Sequence, residues 1–347
     1  MKIFQNLRYI NMDGSSDLII SPNFNGVQNL EELVLARCSN LRKLHPSIGK
    51  LKKLKLLDLK ECQELTSLPD KFEMESLVTL NLTHCLKVKK IPEFCLPNTI
   101  CSLTSLNNLD LFGCSKFDKL QEDLGNIVSL KKLCLSETAI KELPSSFEFL
   151  IGLTSLDLTY CKNFVLLSST ICSLKSLDEI ILSRCSKFDK LPKDLGNIIS
   201  LKKLNLSGTG IKELPSSVKF LIGLTSLNLI DCKKFVLLSS TICSFKSLDE
   251  IILSECSKFD KLPKDLGNIV SLKTLCLSRT AIKELPSSVE FLIGLETLFL
   301  EDCKKFVLLP STVGSLKSLK KMWLSRCPKF VNLPENFESQ TSELALS

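Results

Sequence analysis

The sequence predicts an α/β solenoid of about fourteen stacked repeats. A parallel β-sheet would line the concave face, and short helical or 3-10 segments would cover the convex face. Three observations predict it. The motif Leu-x-x-Leu-x-Leu recurs about every 24 residues from Leu7 to Leu324. Its leucines alternate with mostly polar residues at period two, the mark of a short half-buried strand. All but the first motif run on into a Cys- or Thr-x-x-apolar turn and, in most repeats, a Leu-Pro. A period of about 20–29 residues with this spacing is the leucine-rich-repeat pattern, which stacks into a horseshoe.

The repeats begin at Leu7, Leu30, Leu54, Leu77, Leu106, Leu130, Leu153, Leu177, Leu201, Leu224, Leu248, Leu272, Leu295 and Leu319. Most steps are 23 or 24 residues; the step from Leu77 to Leu106 is longer and holds an insert around Phe94–Ile100. One repeat shows the expected build. Leu204 and Leu206 point inward, while Lys203, Asn205 and Ser207 point out onto the sheet face. Thr209 turns the chain, and Ile211, Leu214 and Pro215 run down one side. Val218, Leu221 and Leu224, spaced by three, suit a helical turn or a 3-10 segment. Gly223 marks the turn into the next strand, and Ser216-Ser217 read as turn residues or helix N-caps.

No single repeat buries its own apolar face, so the core is continuous only in the stack. We therefore expect one elongated domain over 1–334 and a polar, frayed tail over 335–347. A longer period overlies the short one. Residues 130–200 and 201–271 are near copies of 71 residues each, and a diverged third copy spans 272–334. The first two differ at twelve positions. Six of these fall on outward strand positions or just before the Cys/Thr column: Cys134/Asn205, Glu137/Gly208, Asp157/Asn228, Thr159/Ile230, Tyr160/Asp231 and Arg184/Glu255. Changing charges and aromatics on one exposed face are expected of a binding surface.

Sixteen cysteines are present. Ten form one column: Cys38, Cys62, Cys85, Cys114, Cys161, Cys185, Cys232, Cys256, Cys303 and Cys327, with Thr138, Thr209 and Thr280 in the same place elsewhere. The consensus uses a small Asn or Cys there to close the turn, so these are read as structural thiols. The other six (Cys95, Cys101, Cys134, Cys172, Cys243, Cys276) lack Cys-x-x-Cys spacing, which argues against a metal site. So many unpaired thiols suit a reducing compartment. The net charge of +7 is mild and spread over turns, with no basic stripe for nucleic acid. Met1–Asp13 lacks the apolar core expected of a signal peptide, and no apolar run approaches the ~18 residues of a membrane span. The sequons at Asn81 and Asn205 fall in strands and are read as chance matches. The two histidines, His45 and His84, have no evident base, nucleophile or metal partner, so an enzyme is not expected.

The pattern Leu-x-x-Leu-x-Leu-x-x-Cys-x-x-Leu-x-x-Leu-Pro at Leu54–Pro69 resembles the repeat region of plant intracellular disease-resistance proteins. The likeness is to the class with a Toll/interleukin-receptor-like and a nucleotide-binding domain. The opening carries the resemblance furthest: Phe4–Ile10, Asn23-Phe24, Asn29–Leu35, Cys38 and Leu44–Gly49. It implies a protein-recognition module that senses a pathogen effector or a modified host protein, or that contacts a nucleotide-binding domain in a longer receptor. The expected setting is the cytoplasm, with the nucleus as an alternative. No phosphate loop is present, since Gly49-Lys50 lacks the earlier glycine and the hydroxyl residue; no cofactor is expected. The chain therefore reads as a fragment or truncated paralogue without the signalling domains. A second reading is an intracellular scaffold of the Ras-associated type, whose turn column is mostly Asn rather than Cys. The expected partner-binding residues on the concave face are Tyr160, Arg184, Asp231, Glu255, Arg279, Phe299, Asp302, Trp323 and Arg326. Phe299 and Trp323 are large apolar groups facing out, and Phe299 stands where the sister repeats carry Asp157 and Asn228.

Overall fold

The computed structural model describes residues 4–70, 72–91 and 103–331, together with the backbone of a short strand at Leu344–Ala345. The chain forms two compact units, Met1–Leu177 and Asp178–Ser347. Each is a stack of leucine-rich repeats, the solenoid class that the periodicity predicts. The insert around Phe94–Ile100, Cys95 and Cys101 lie outside the described residues.

In the first unit the strands are β1 (Tyr9–Asn11), β2 (Glu32–Val34), β3 (Leu56–Asp58), β4 (Thr79–Asn81), β5 (Asn108–Asp110), β6 (Lys132–Cys134) and β7 (Ser155–Asp157). They pair in parallel and in chain order, with the inward leucines in register, as in Leu33↔Leu57 and Leu57↔Leu80. The second unit holds β8 (Glu179–Ile181), β9 (Lys203–Asn205), β10 (Ser226–Asn228), β11 (Glu250–Ile252), β12 (Thr274–Cys276), β13 (Thr297–Phe299) and β14 (Lys321–Trp323), again parallel and in order. Of the expected tail, β15 (Leu344–Ala345) is described; it pairs with β14, with Ala345 opposite Trp323. The other residues beyond 331 lie outside the described set.

Three residues make a minimal strand because the chain must turn away at once to complete its coil. Numbering Leu-x-x-Leu-x-Leu-x-x-Cys from 1 to 9, positions 1, 4 and 6 are buried throughout the second unit, as at Leu201, Leu204 and Leu206. Ladder bonding continues past the strand: Leu59 N–H donates to the carbonyl of Asn81 in the next repeat at 2.9 Å. On the return path, 3-10 turns such as Ser216–Phe220 and Ser287–Phe291 place one apolar residue inward, Val218 and Val289. A tight coil suits this short return, since 3-10 segments rarely extend beyond one turn. Phenylalanines three residues past position 9 form a spine, buried except at half-buried Phe330. Phe235 and Phe259 are fully buried with ring centroids 5.9 Å apart, and Phe306 and Phe330 are 6.0 Å apart.

The serine pairs differ from the expected caps. Pro215 takes the cap position without a side-chain bond. Ser217 Oγ instead accepts the N–H of Gly196 in the preceding repeat at 3.2 Å, and Ser288 does the same for Gly267. A side chain at Gly267 would meet the Ser288 carbonyl oxygen at 1.9 Å, so only glycine permits this approach. Side-chain caps occur at other turns: Ser239 Oγ accepts from Thr241 N–H at 3.4 Å.

Candidate functional site

The open sheet face is built from positions 3 and 5, which alternate outward along each strand, and from positions 7 and 8 in the turn that follows. Position 5 divides into two kinds of residue. Where it is Asn or Asp, the side chain accepts the backbone N–H of position 7. Asp58 does so for Lys60 at 3.0 Å, Asn81 for Thr83 at 3.0 Å, Asp157 for Thr159 at 2.8 Å and Asn228 for Ile230 at 3.0 Å. Such an Asx bond closes the turn locally. Asp157 and Asn228, which differ between the two copies, therefore perform one structural task. The bond also gives Asn81 and Asn205 a structural reason to precede Thr83 and Ser207, apart from any sequon.

Position 8 is left-handed in every repeat. Arg37, Glu61, His84, Glu137, Tyr160, Arg184, Asp231, Glu255, Arg279, Asp302 and Arg326 all have φ between 56° and 66°, and Gly14, Gly113 and Gly208 complete the column. The cause is the turn. Cys62 N–H donates to Leu59 O at 3.1 Å across four residues, and the third of them needs positive φ. Glu61 N–H then reaches the carbonyl of Thr83 in the next repeat at 2.7 Å. Seven of the nine expected partner-binding residues belong to this column. Only the three glycines hinted at the backbone requirement in the sequence.

The column carries its charges in sequence along the second unit. Arg279 bonds Glu255 at 3.0 Å and lies 3.6 Å from Asp302. Asp302 is also held by Lys304, the main reason its carboxyl sits below the usual range. Asp231 pairs with Lys233 at 3.1 Å. Tyr160 is 38% exposed in the first unit, and Arg184 and Arg326 are exposed in the second. Glu255, Arg279 and Asp302 thus form a connected ion-pair run, while Phe299 and Trp323 stand beside it at position 5.

Those two rings stack, with centroids 4.2 Å apart and planes 12° from parallel. Register explains it: Phe299 lies directly opposite Trp323 in β13 and β14. The same column continues as Cys276, opposite Phe299, and Ile252, opposite Cys276. Four successive position-5 residues are thus apolar and half-buried. Ile252 and Cys276 were not among the expected site residues; the signal was their shared offset with Phe299.

The column thiols point inward. Cys62, Cys85 and Cys114 each donate to the position-6 carbonyl of the preceding repeat at 3.1 Å, and Cys256 does so to Leu229 at 3.0 Å. Thr209 instead donates to its own Leu206 carbonyl at 2.6 Å, which Cys232 also reaches at 3.1 Å. Burial pushes the thiols of Cys62, Cys114 and Cys256 up to about 12. The described cysteines are free thiols, and thiols so raised carry almost no thiolate at neutral pH.

Among the described residues one Ser–His side-chain hydrogen bond appears: His45 Nδ1 lies 2.8 Å from Ser47 Oγ. Ser47 is buried and accepts the N–H of Phe24 at 2.8 Å, while His45 caps the turn Pro46–Lys50. That is capping geometry, with no third group to orient a base. His84 packs edge-on against Phe112, centroids 4.8 Å apart. Among the described residues no group of three or more His, Cys, Asp or Glu is placed to hold a metal ion. No helix among them is long and apolar enough to cross a membrane.

Comparison with known proteins agrees with this architecture. A model described as "Leucine-rich repeat region" matches residues 252–339. The TMV resistance protein N of Nicotiana glutinosa is 33% identical over 308 residues, covering 88% of this chain and 24% of that protein. Disease resistance protein RPS6 of Arabidopsis thaliana is 34% identical over 309 residues, 87% of this chain and 25% of that protein. The chain thus spans about a quarter of the length of these relatives. Among solved structures, a leucine-rich-repeat protein of Leptospira interrogans superposes with a TM-score of 0.77 at 26% identity, covering 99% of this chain and 91% of that one.

Proposed function

Because the chain belongs to the leucine-rich-repeat family of plant disease-resistance proteins, we propose that it is the protein-recognition module of a plant immune receptor. On this reading 1–334 act as one recognition domain in the cytoplasm or nucleus. The module holds a pathogen effector, a modified host protein, or a nucleotide-binding domain supplied by a longer receptor or a partner. The observation that carries the reading is the Phe299–Trp323 stack. The fold does not need aromatic groups at position 5, where Asn and Asp close the turn in other repeats. Exposed aromatics are over-represented among residues that dominate binding energy.

A photo-crosslinking side chain tests this when placed at position 323 and, separately, at exposed Phe220 on the 3-10 turn Ser216–Phe220. The protein would be expressed in leaves of its own plant, with and without pathogen challenge. The proposal expects one discrete adduct from position 323, competed by excess unlabelled chain, and none from 220. Adducts from 220 alone would place recognition elsewhere.

A further inference from the structure

The second unit's open face shows an imbalance in how its charges are used. Glu296 bonds Lys320 at 2.9 Å, and Asp249 bonds Lys273 at 3.2 Å. Glu301 accepts from Ser325 Oγ at 3.2 Å, and Glu250 from Ser226 Oγ at 2.9 Å. Glu255 and Asp302 are held by Arg279. Lys321 and Arg326, by contrast, have no ion pair among the described residues, and both are exposed. They belong to the same repeat as Trp323, at positions 3 and 8, on either side of it. Two exposed cations without a close ion pair among the described residues therefore bracket the stacked rings, Arg326 adding only a longer-range pull on Asp302, while the nearby carboxylates each have a bonded partner.

We propose that Phe299 and Trp323, flanked by Lys321 and Arg326, form a docking site for an extended acidic segment of a partner protein, one with an apolar side chain set between carboxylates. This rests on the recognition reading above and adds the chemistry of the partner. The apolar group would cover the rings, and its flanking carboxylates would meet the ammonium and the guanidinium. Arg suits this because its planar fork matches a carboxylate. A nucleic acid fits less well. Its continuous backbone charge would run past Glu296, Glu301 and Asp302, and two exposed cations fall short of the basic stripe that tracks phosphates.

Trp323 is the single tryptophan of the chain, so its fluorescence reports this site alone. The full chain would be titrated with acetyl-Glu-Asp-Leu-Phe-Glu-Asp-amide, with the same peptide carrying lysines for its acids, and with single-stranded oligo-dT. Expected is a saturable change with the acidic peptide, binding at least about tenfold weaker for the lysine peptide, and loss of the difference as salt rises. Lys321→Glu with Arg326→Glu should reverse the preference. Both changes should fold, since Glu250 already occupies position 3 and Glu61 position 8. Equal response to both peptides, no response to either, or tighter binding of oligo-dT would overturn the proposal. If the peptides fail while Phe299→Ala still weakens capture of the cross-linked partner, the acidic-segment inference falls and the recognition reading stands.

Discussion

Phe299 and Trp323 stand directly opposite each other on adjacent parallel strands, and their rings stack 4.2 Å apart. Phe299 sits where the sister repeats place turn-closing Asp157 and Asn228, and Trp323 where they place Ile181 and Ile252. Aromatic pairs of this kind contribute about 0.5–1.5 kcal/mol beyond the area they bury. The stack therefore holds two large rings in one geometry before any partner arrives, which lowers the ordering cost of binding.

The Asx positions should behave as structure rather than as recognition. Asp157→Asn should be neutral, because Asn228 makes the same bond in the sister repeat. Asp157→Ala should cost about 0.5–1.5 kcal/mol by leaving the Thr159 N–H without its acceptor. Urea denaturation of the two variants distinguishes them; equal loss in both would mean that charge, not the turn, matters there.

The left-handed column makes the opposite prediction. A non-glycine residue at positive φ costs roughly 1–2 kcal/mol in local strain, partly offset by the greater freedom glycine has when unfolded. Tyr160→Gly should therefore leave stability unchanged or raise it by up to about 1 kcal/mol, whereas Tyr160→Val should lower it. Thermal midpoints of the pair check this, and a destabilised glycine variant would show that the tyrosine ring carries packing energy.

Much of this was legible in the sequence, and the reason is periodicity. Repeated Leu-x-x-Leu-x-Leu fixes which residues face inward, so strands, core and thiol column follow from spacing alone. The left-handed position was only faintly legible, since glycine marks it at Gly14, Gly113 and Gly208 while eleven other residues tolerate it. The Glu255–Arg279–Asp302 run was not legible as bonding, because it depends on side-chain reach between successive repeats. Ser217 lies in the turn, as one of the two readings had it, but its bonding was not legible for a similar reason: its acceptor role serves Gly196, 21 residues away.

The thiol column couples stability to alkaline pH. Burial raises the folded-state pKa of Cys256 to about 12, above the roughly 8.5 of an unfolded thiol. Its contribution is fully present below the unfolded value and is lost as pH rises toward the folded one, because the unfolded chain releases the proton first. The melting temperature should therefore fall between about pH 9 and 12, as thiols above ordinary pKa deprotonate on unfolding. Cys256→Thr should fold, as Thr209 does in the same place, and should show a smaller alkaline decline. A decline identical to that of the parent would assign the effect to other groups.

The phenylalanine spine should be the costliest place to cut. Phe259 is fully buried against Phe235. Phe259→Ala should destabilise by about 3–5 kcal/mol through lost burial and the cavity left behind. Chemical denaturation followed by circular dichroism measures it. A loss under about 1 kcal/mol would mean that neighbouring repeats close over the gap.

The central claim is that the open sheet face around the stack holds a protein partner. The most direct measurement is calorimetric binding of the cross-linked partner to the parent, Phe299→Ala and Trp323→Ala, alongside their melting curves. Each variant should lose at least tenfold in affinity, about 1.4 kcal/mol, with the fold retained. Parent-like binding by both variants, or simple unfolding of both, would contradict it.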